Sequence, residues 1–294
     1  MRESKKALAS RLGLTSVLAS LFALGAMAPA SARESANKDA APAAMRLYTL
    51  DCGLTEFKDA DVFSDTGEYA GKYMALPTPC YLIHHGKDWL LWDTGLSDKL
   101  AAEPRGKEIF GGRFSVKRTL ASQLTALGLK PEDIRYVGMS HLHFDHTGNI
   151  GLFTKSTFLM AAAELAEARA RKPPFGVDLV SIAPLAKANI ETFELDHDVF
   201  GDGTVTMLKT PGHTDGHSSL IVKLPKAGIV LITGDLYHTR QNYEKGLVPR
   251  INQRADTLAS MDRFAKIAAN TKARVVIQHA EDFAGMPAFP NYLD

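Results

Sequence analysis

The segment His141-Leu142-His143-Phe144-Asp145-His146 places four metal-ligating side chains within six residues, directly after an apolar run at 134–140. Imidazole and carboxylate donors suit zinc, and the same donors also admit iron or manganese. In an extended segment side chains alternate, so His141 and His143 face one side and share a position. Asp145 and His146 then serve a neighbouring one. Two adjacent subsites follow more naturally than a single mononuclear site.

Further candidate ligands lie downstream, each just beyond a strand-like run. Pro211-Gly212-His213 follows 205–209, Gly234-Asp235 follows 229–233, and His279 follows 275–277. The carboxyl ends of strands are where active sites gather in layered α/β proteins. A lone histidine after a strand is more often an ordinary surface or core residue, but a series of such positions after one polar cluster reads as a site.

The elements that must position these residues alternate in type. Runs at 46–50, 80–84 and 88–92 read as strands, with Gly86-Lys87 turning the chain between the last two. Apolar spacing through Leu120, Leu124 and Leu127 predicts a helix over 115–127, stopped by Gly128 and Pro131. Strands are expected at 134–140, 157–160, 190–195, 205–209, 218–224, 229–233 and 275–277. Helices are expected at 161–170, after the Pro173-Pro174 break at 179–188, and at 255–269. Strands in both halves with helices between them predict one domain of two helix-covered sheets over 45–294.

Of the 294 residues, 45% are hydrophobic and 23% charged, and the formal net charge is +1. This composition supports a substantial core and carries no electrostatic footprint for nucleic acid. Residues 1–32 read as a secretory leader: Arg2, Lys5, Lys6 and Arg11 precede an apolar stretch ending at Ala30-Ser31-Ala32. Thr15, Ser16, Ser20 and Gly25 interrupt that stretch, which argues against a stable membrane anchor. An exported, periplasmic or secreted chain with a loose tail at 33–44 is therefore expected. Export would let Cys52 and Cys80 pair, although both sit beside strand-like sequence, and buried free thiols are the favoured expectation.

In this order the residues resemble the metallo-β-lactamase superfamily, whose H-x-H-x-D-H pattern is followed by a histidine, a bridging aspartate and a last histidine. The matching positions are His141, His143, Asp145, His146, His213, Asp235 and His279. The resemblance implies an αββα sandwich of two mixed sheets covered by helices. It also implies two zinc ions per chain, one held by His141, His143 and His213, the other by Asp145, His146 and His279, with Asp235 bridging. His143 separates the chain from the diiron oxidoreductase branch, which carries a glutamate at that step.

Within the superfamily the chain is similar to the N-acyl homoserine lactone lactonases, the quorum-quenching lactonases. The matching pieces are Leu82, Leu91-Trp92-Asp93-Thr94-Gly95, the segments 140–146 and 210–217, the run GDLYHTRQNYE at 234–244, and Phe289-Pro290-Asn291-Tyr292-Leu293. These lactonases commonly place a tyrosine three residues after the bridging aspartate to contact the substrate carbonyl. That position is His238 here, with Tyr237 one step earlier. Alternation along an extended segment favours His238, with a local shift toward Tyr237 as the alternative.

The implied reaction is hydrolysis by a hydroxide shared between the two metals, formed because metal binding brings the pKa of water to roughly 7. That hydroxide attacks the ring carbonyl, with His238 assisting at the oxyanion and Asp145 or a metal-bound water returning the proton. Asp93 is expected to orient ligating histidines, and His217 to support the site without ligating. An acyl chain needs an apolar wall, for which Phe144 is the first candidate. Phe110 and Phe114, in a loop around Gly111-Gly112, follow.

The expected partner is a small ester, with no nucleic acid, while acyl length and oligomeric state stay open. Rival readings are an exported organophosphate triesterase or aryl esterase on the same scaffold, and a non-catalytic zinc-binding scaffold. A purely structural zinc would be closed by four ligands, which a full dimetal set with candidate proton donors does not resemble.

Overall fold

The computed structural model describes residues 44–172 and 174–294. The expected leader at 1–32, the tail at 33–44 apart from its last residue, and Pro173 lie outside them. No helix among the described residues is long and apolar enough to cross a membrane.

The strands, in chain order, are β1 (Met45–Phe57), β2 (Met74–His85), β3 (Asp88–Trp92), β4 (Lys107–Ile109), β5 (Gly112–Ser115), β6 (Tyr136–Gly138), β7 (Thr157–Ala161), β8 (Asn189–Phe193), β9 (His197–Asp198), β10 (Val205–Lys209), β11 (Ser218–Leu224), β12 (Gly228–Ile232), β13 (Arg274–Val276) and β14 (Tyr292–Leu293). Among the described residues they form two sheets, one ordered β4-β5-β1-β2-β3-β6-β7-β8 with β14 also on β1, the other β13-β12-β11-β10-β9. Both are mixed: β3, β6, β7 and β8 run parallel, as do β12 and β13, while the remaining pairs are antiparallel. The helices are α1 (Leu120–Ala126), α2 (Phe144–Thr147), α3 (Ala162–Ala168), α4 (Leu179–Ile182), α5 (Arg240–Lys245) and α6 (Arg254–Thr271).

Alternation along the strands builds the layers. In β3, Leu90 and Trp92 enter the core between the sheets, whereas Leu91 turns outward to pack with Leu120 and Leu124 of α1. In β12, Val230 and Ile232 face that same central core, and Leu231 packs with Met261 and Phe264 of α6. Each strand is thus apolar on both faces because each sheet is covered on both, giving the αββα sandwich.

Several expectations change. The helix expected over 115–127 begins only at Leu120, because Ser115 belongs to β5 and Thr119 caps the helix by accepting from the Ser122 N–H at 3.2 Å. The segment expected to be one helix at 179–188 splits at Ile182 into α4 and a 3-10 turn containing Pro184. The loop around Gly111 is a β4-β5 hairpin. The two cysteines are not free thiols: Cys52 and Cys80 form a disulfide with Cα atoms 5.7 Å apart. An irregularity in the β1-β2 register between Asp51 and Leu54 brings Cys52 beside Cys80.

Candidate metal centre

The chain leaves β6 at Gly138 and reaches His141 and His143 before turning into α2. His143 is the residue preceding that helix, so His141 and His143 remain together while Asp145 and His146 sit on the helical turn. The His141 and His143 rings lie 4.5 Å apart at their centroids. His213 arrives from the loop after β10, and its Nε2 lies 2.9 Å from His143 Nδ1. Asp235 follows β12 and His279 follows β13, so the strand ends of both sheets converge here.

Asp235 stands at the centre with its two oxygens serving different sets. Its Oδ2 lies 3.3 Å from His213 Nε2 and 3.7 Å from His141 Nε2. Its Oδ1 lies 3.0 Å from His279 Nε2 and 3.3 Å from His146 Nε2. Asp145 Oδ2 flanks the second set, 3.6 Å from His146 Nε2 and 3.9 Å from His279 Nε2. One carboxylate between two groups of imidazoles is the arrangement a pair of cations needs.

The opposite edges of the rings are tied down. His146 Nδ1 donates to Asp93 Oδ2 at 2.8 Å, His279 Nδ1 to the Pro77 carbonyl at 2.7 Å, and His213 Nδ1 to Asn252 Oδ1 at 3.0 Å. His141 Nδ1 donates to Ser140 Oγ at 2.9 Å, and Ser140 Oγ donates onward to Asp93 Oδ2 at 2.8 Å. Each donation leaves the other nitrogen with its lone pair aimed into the cluster. The Nε2 atoms of His141 and His146 are buried there without a hydrogen-bond partner, an arrangement that is costly unless a cation fills it. The donor set therefore fits two metal ions.

Electrostatics agree for one set of ligands. Burial, reinforced by neighbouring imidazoles, pushes His141 and His213 well below the ordinary histidine value, and burial takes His143 to about 4. These three are neutral at pH 7, the form that binds metal. Burial acts upward on Asp235, yet the imidazoles of His279 and His146 beside it hold it well below the ordinary carboxylate range.

The supporting residues take separate places. Asp93, fully buried and with a left-handed φ of 58°, also accepts the Ser140 N–H at 2.7 Å and the Gln278 side-chain amide at 2.7 Å. His217 does not face the cluster as a ligand: its Nδ1 donates to the Thr210 carbonyl at 2.9 Å and its Nε2 accepts the Asp235 N–H at 2.8 Å. Gly234 permits this approach, since a Cβ there would lie 2.6 Å from His217 Nε2. His238 turns inward, its Nε2 3.2 Å from Asp235 Oδ2 and its ring stacked on His279 at 5.8 Å. Tyr237 is the correction among the candidate catalytic residues: it packs on Tyr243 and Phe264 at 5.1 and 6.0 Å, beneath α6 and away from the cluster.

A cavity of about 330 Å³ opens over the cluster, with His143, Asp145, His213, Asp235, His238 and His279 as its floor. Phe144, Phe110 and Phe114 all line it, joined by Phe57, Phe63 and Phe175. Phe144 meets Phe114 at 5.0 Å and Phe110 at 5.4 Å, and Phe175 completes the rim against Phe110 at 5.4 Å.

Sequence reasoning missed Ser140, Gln278, Asn252 and Glu164. The first two adjoin ligands but carry no spacing of their own, and Asn252 reaches His213 from 39 residues away. Glu164 lies in an alanine-rich helix with no motif to mark it, yet it is 2% exposed, and burial raises its carboxyl to about 7.

Comparison with known proteins places this geometry in a family. The metallo-beta-lactamase superfamily matches residues 73–279. The N-acyl homoserine lactonase AttM of Azorhizobium caulinodans is 31% identical over 264 residues, covering 85% of this chain and 99% of the relative. The N-acyl homoserine lactonase AiiA of Bacillus thuringiensis subsp. kurstaki is 29% identical over 263 residues, covering 84% and 98%. A solved N-acyl homoserine lactone hydrolase, with its product N-hexanoyl-L-homoserine at the catalytic metal center, aligns with a TM-score of 0.73 at 27% identity over 84% of this chain and 98% of that one.

Proposed function

The chain belongs to the metallo-β-lactamase superfamily, and from that premise we propose that it is a dizinc hydrolase that opens the lactone ring of N-acyl homoserine lactones. The observation that carries this reading is the pairing of Asp235, set between two histidine groups, with a phenylalanine-lined cavity directly above it. A polar ring over the floor and an apolar chain along the wall match that division of surface. The lactonase relatives, similar over most of both chains, support the same substrate.

When bound, two zinc ions supply an acidified water and Lewis-acid polarisation of the carbonyl. His141, His143 and His213 would hold one ion, Asp145, His146 and His279 the other, and Asp235 would link them. His238, on the floor of the cavity, is placed to donate a hydrogen bond to the carbonyl oxygen as it gains negative charge. Water adds to the carbonyl carbon and the ring C–O bond breaks. Asp145, the ligand candidate whose side chain keeps 18% exposure, takes up the proton that the attacking water gives up and delivers it to the departing alkoxide. The product is the open N-acyl homoserine, whose new carboxyl ionises and releases a proton to solvent.

We also propose that the chain works outside the cytoplasm after loss of the leader at 1–32. The Cys52–Cys80 disulfide supports this placement, since such bonds persist in oxidising compartments.

Proton release by the zinc-loaded protein, with N-acyl homoserine lactones of short and long chain, tests the reaction. Rapid opening abolished by chelation is expected. Inertness toward every lactone, with turnover of paraoxon in the same preparation, would transfer the function to the phosphotriesterase reading.

A further inference from the structure

We infer that Glu164 is a positioning residue that holds together the two loops carrying His141, His143 and His213, and so sets the affinity of one metal subsite without touching the metal. This inference rests on the dimetal reading of the site and is independent of the substrate.

The geometry is specific to one subsite. Glu164 sits in α3 with its carboxylate directed inward, where Oε1 accepts the Leu142 N–H at 2.7 Å and Oε2 accepts the Thr214 hydroxyl at 2.5 Å. Leu142 lies between His141 and His143, and Thr214 follows His213. All three imidazoles of the subsite are therefore one residue from a group that Glu164 holds. The other subsite is supported by different groups, Asp93 on His146 and the Pro77 carbonyl on His279.

The approach of the second loop to α3 is equally defined. At Gly216 a Cβ would stand 2.1 Å from the Glu164 backbone nitrogen, so only glycine lets the loop come so close. Glu167 reinforces the contact by accepting the Asp215 N–H at 3.1 Å. No ion pair to Glu164 is present among the described residues. A buried carboxylate without a cation is a costly way to fill space, and an apolar side chain would do that better. Its two simultaneous hydrogen bonds are what the apolar substitute could not supply.

The experiment uses metal-free protein, titrated with zinc against a chromophoric chelator to obtain both stepwise affinities, with the melting temperature of each metal-free variant recorded alongside. Wild type must take up two zinc ions; uptake of fewer would overturn the dimetal reading itself. Glu164→Ala is expected to weaken one of the two sites by roughly 10- to 100-fold while the other stays within about threefold. Glu164→Gln should recover most of the loss, because its amide oxygen can still accept the Leu142 N–H. Thr214→Val, which removes one bond and keeps the side chain's shape, should weaken the same single site to an intermediate degree and carries the test if Glu164→Ala does not fold. Equal weakening of both sites in step with a lower melting temperature would show a merely structural glutamate. Two unchanged affinities in Thr214→Val, or in a folded Glu164→Ala, would likewise overturn the inference.

Discussion

In the cluster at and beneath the floor of the cavity, His141, His146, His213 and His279 each donate from the ring edge opposite the cluster to a fixed partner, namely Ser140, Asp93, Asn252 and the Pro77 carbonyl. On the wall, Phe110, Phe144 and Phe175 meet only through tilted or edge-on rings, and Phe110 and Phe175 are 60% and 62% exposed. Directional bonds fix an imidazole to a few tenths of an ångström, as a catalytic floor requires. Ring contacts tolerate sliding, as a wall that accommodates a flexible chain requires. The two regions thus divide reactivity from selection, and substitutions should separate accordingly.

The strongest test strikes the group both cations would share. Asp235→Asn should remove metal and turnover together, with zinc content by elemental analysis falling alongside lactone hydrolysis to near background. Retention of two zinc ions with full activity would refute the bridging role. Next in size, His238→Ala should leave zinc content unchanged while kcat falls by roughly 10²- to 10³-fold, the usual cost of losing an oxyanion donor. Loss of zinc in that variant would make His238 a ligand instead. Asp93→Ala leaves His146 Nδ1 without its acceptor, and zinc affinity should fall by roughly 10- to 100-fold with little change in preference among acyl chains. A changed chain preference in that variant would mean floor and wall are coupled.

The same division governs what could be seen in the sequence. His141, His143, His146, His213, Asp235 and His279 were legible because strand ends must deliver ligands at set places, which leaves recurring types after recurring apolar runs. The layered fold was legible for the related reason that strand-like runs alternate with helical ones, and β3 and β12 are apolar on both faces. Phe57, Phe63 and Phe175 were not, since they reach the cavity from the end of β1, a 3-10 turn and a loop with no shared period, and a lone phenylalanine looks the same whether or not it meets a substrate. Glu164 was hidden because its partners, Leu142 and Thr214, lie 22 and 50 residues away. Cys52 and Cys80 could be paired only once the irregular stretch of β1 was known, as a regular register would have left them apart. For His238 and Tyr237, alternation along the chain already separated inward from outward, and the packing of Tyr237 beneath α6 supplies the reason.

The division itself is tested most directly by kcat/KM of zinc-loaded wild type and Phe144→Ala across N-acyl homoserine lactones of increasing chain length. Loss of one buried phenylalanine contact is worth about 1.5 to 3 kcal/mol, or roughly tenfold and more. The account predicts that Phe144→Ala lowers kcat/KM by about that factor for long chains, leaves short chains nearly unaffected, and keeps both zinc ions. A uniform loss at every chain length, or one that follows loss of zinc, would contradict the separation of a reactive floor from a selective wall.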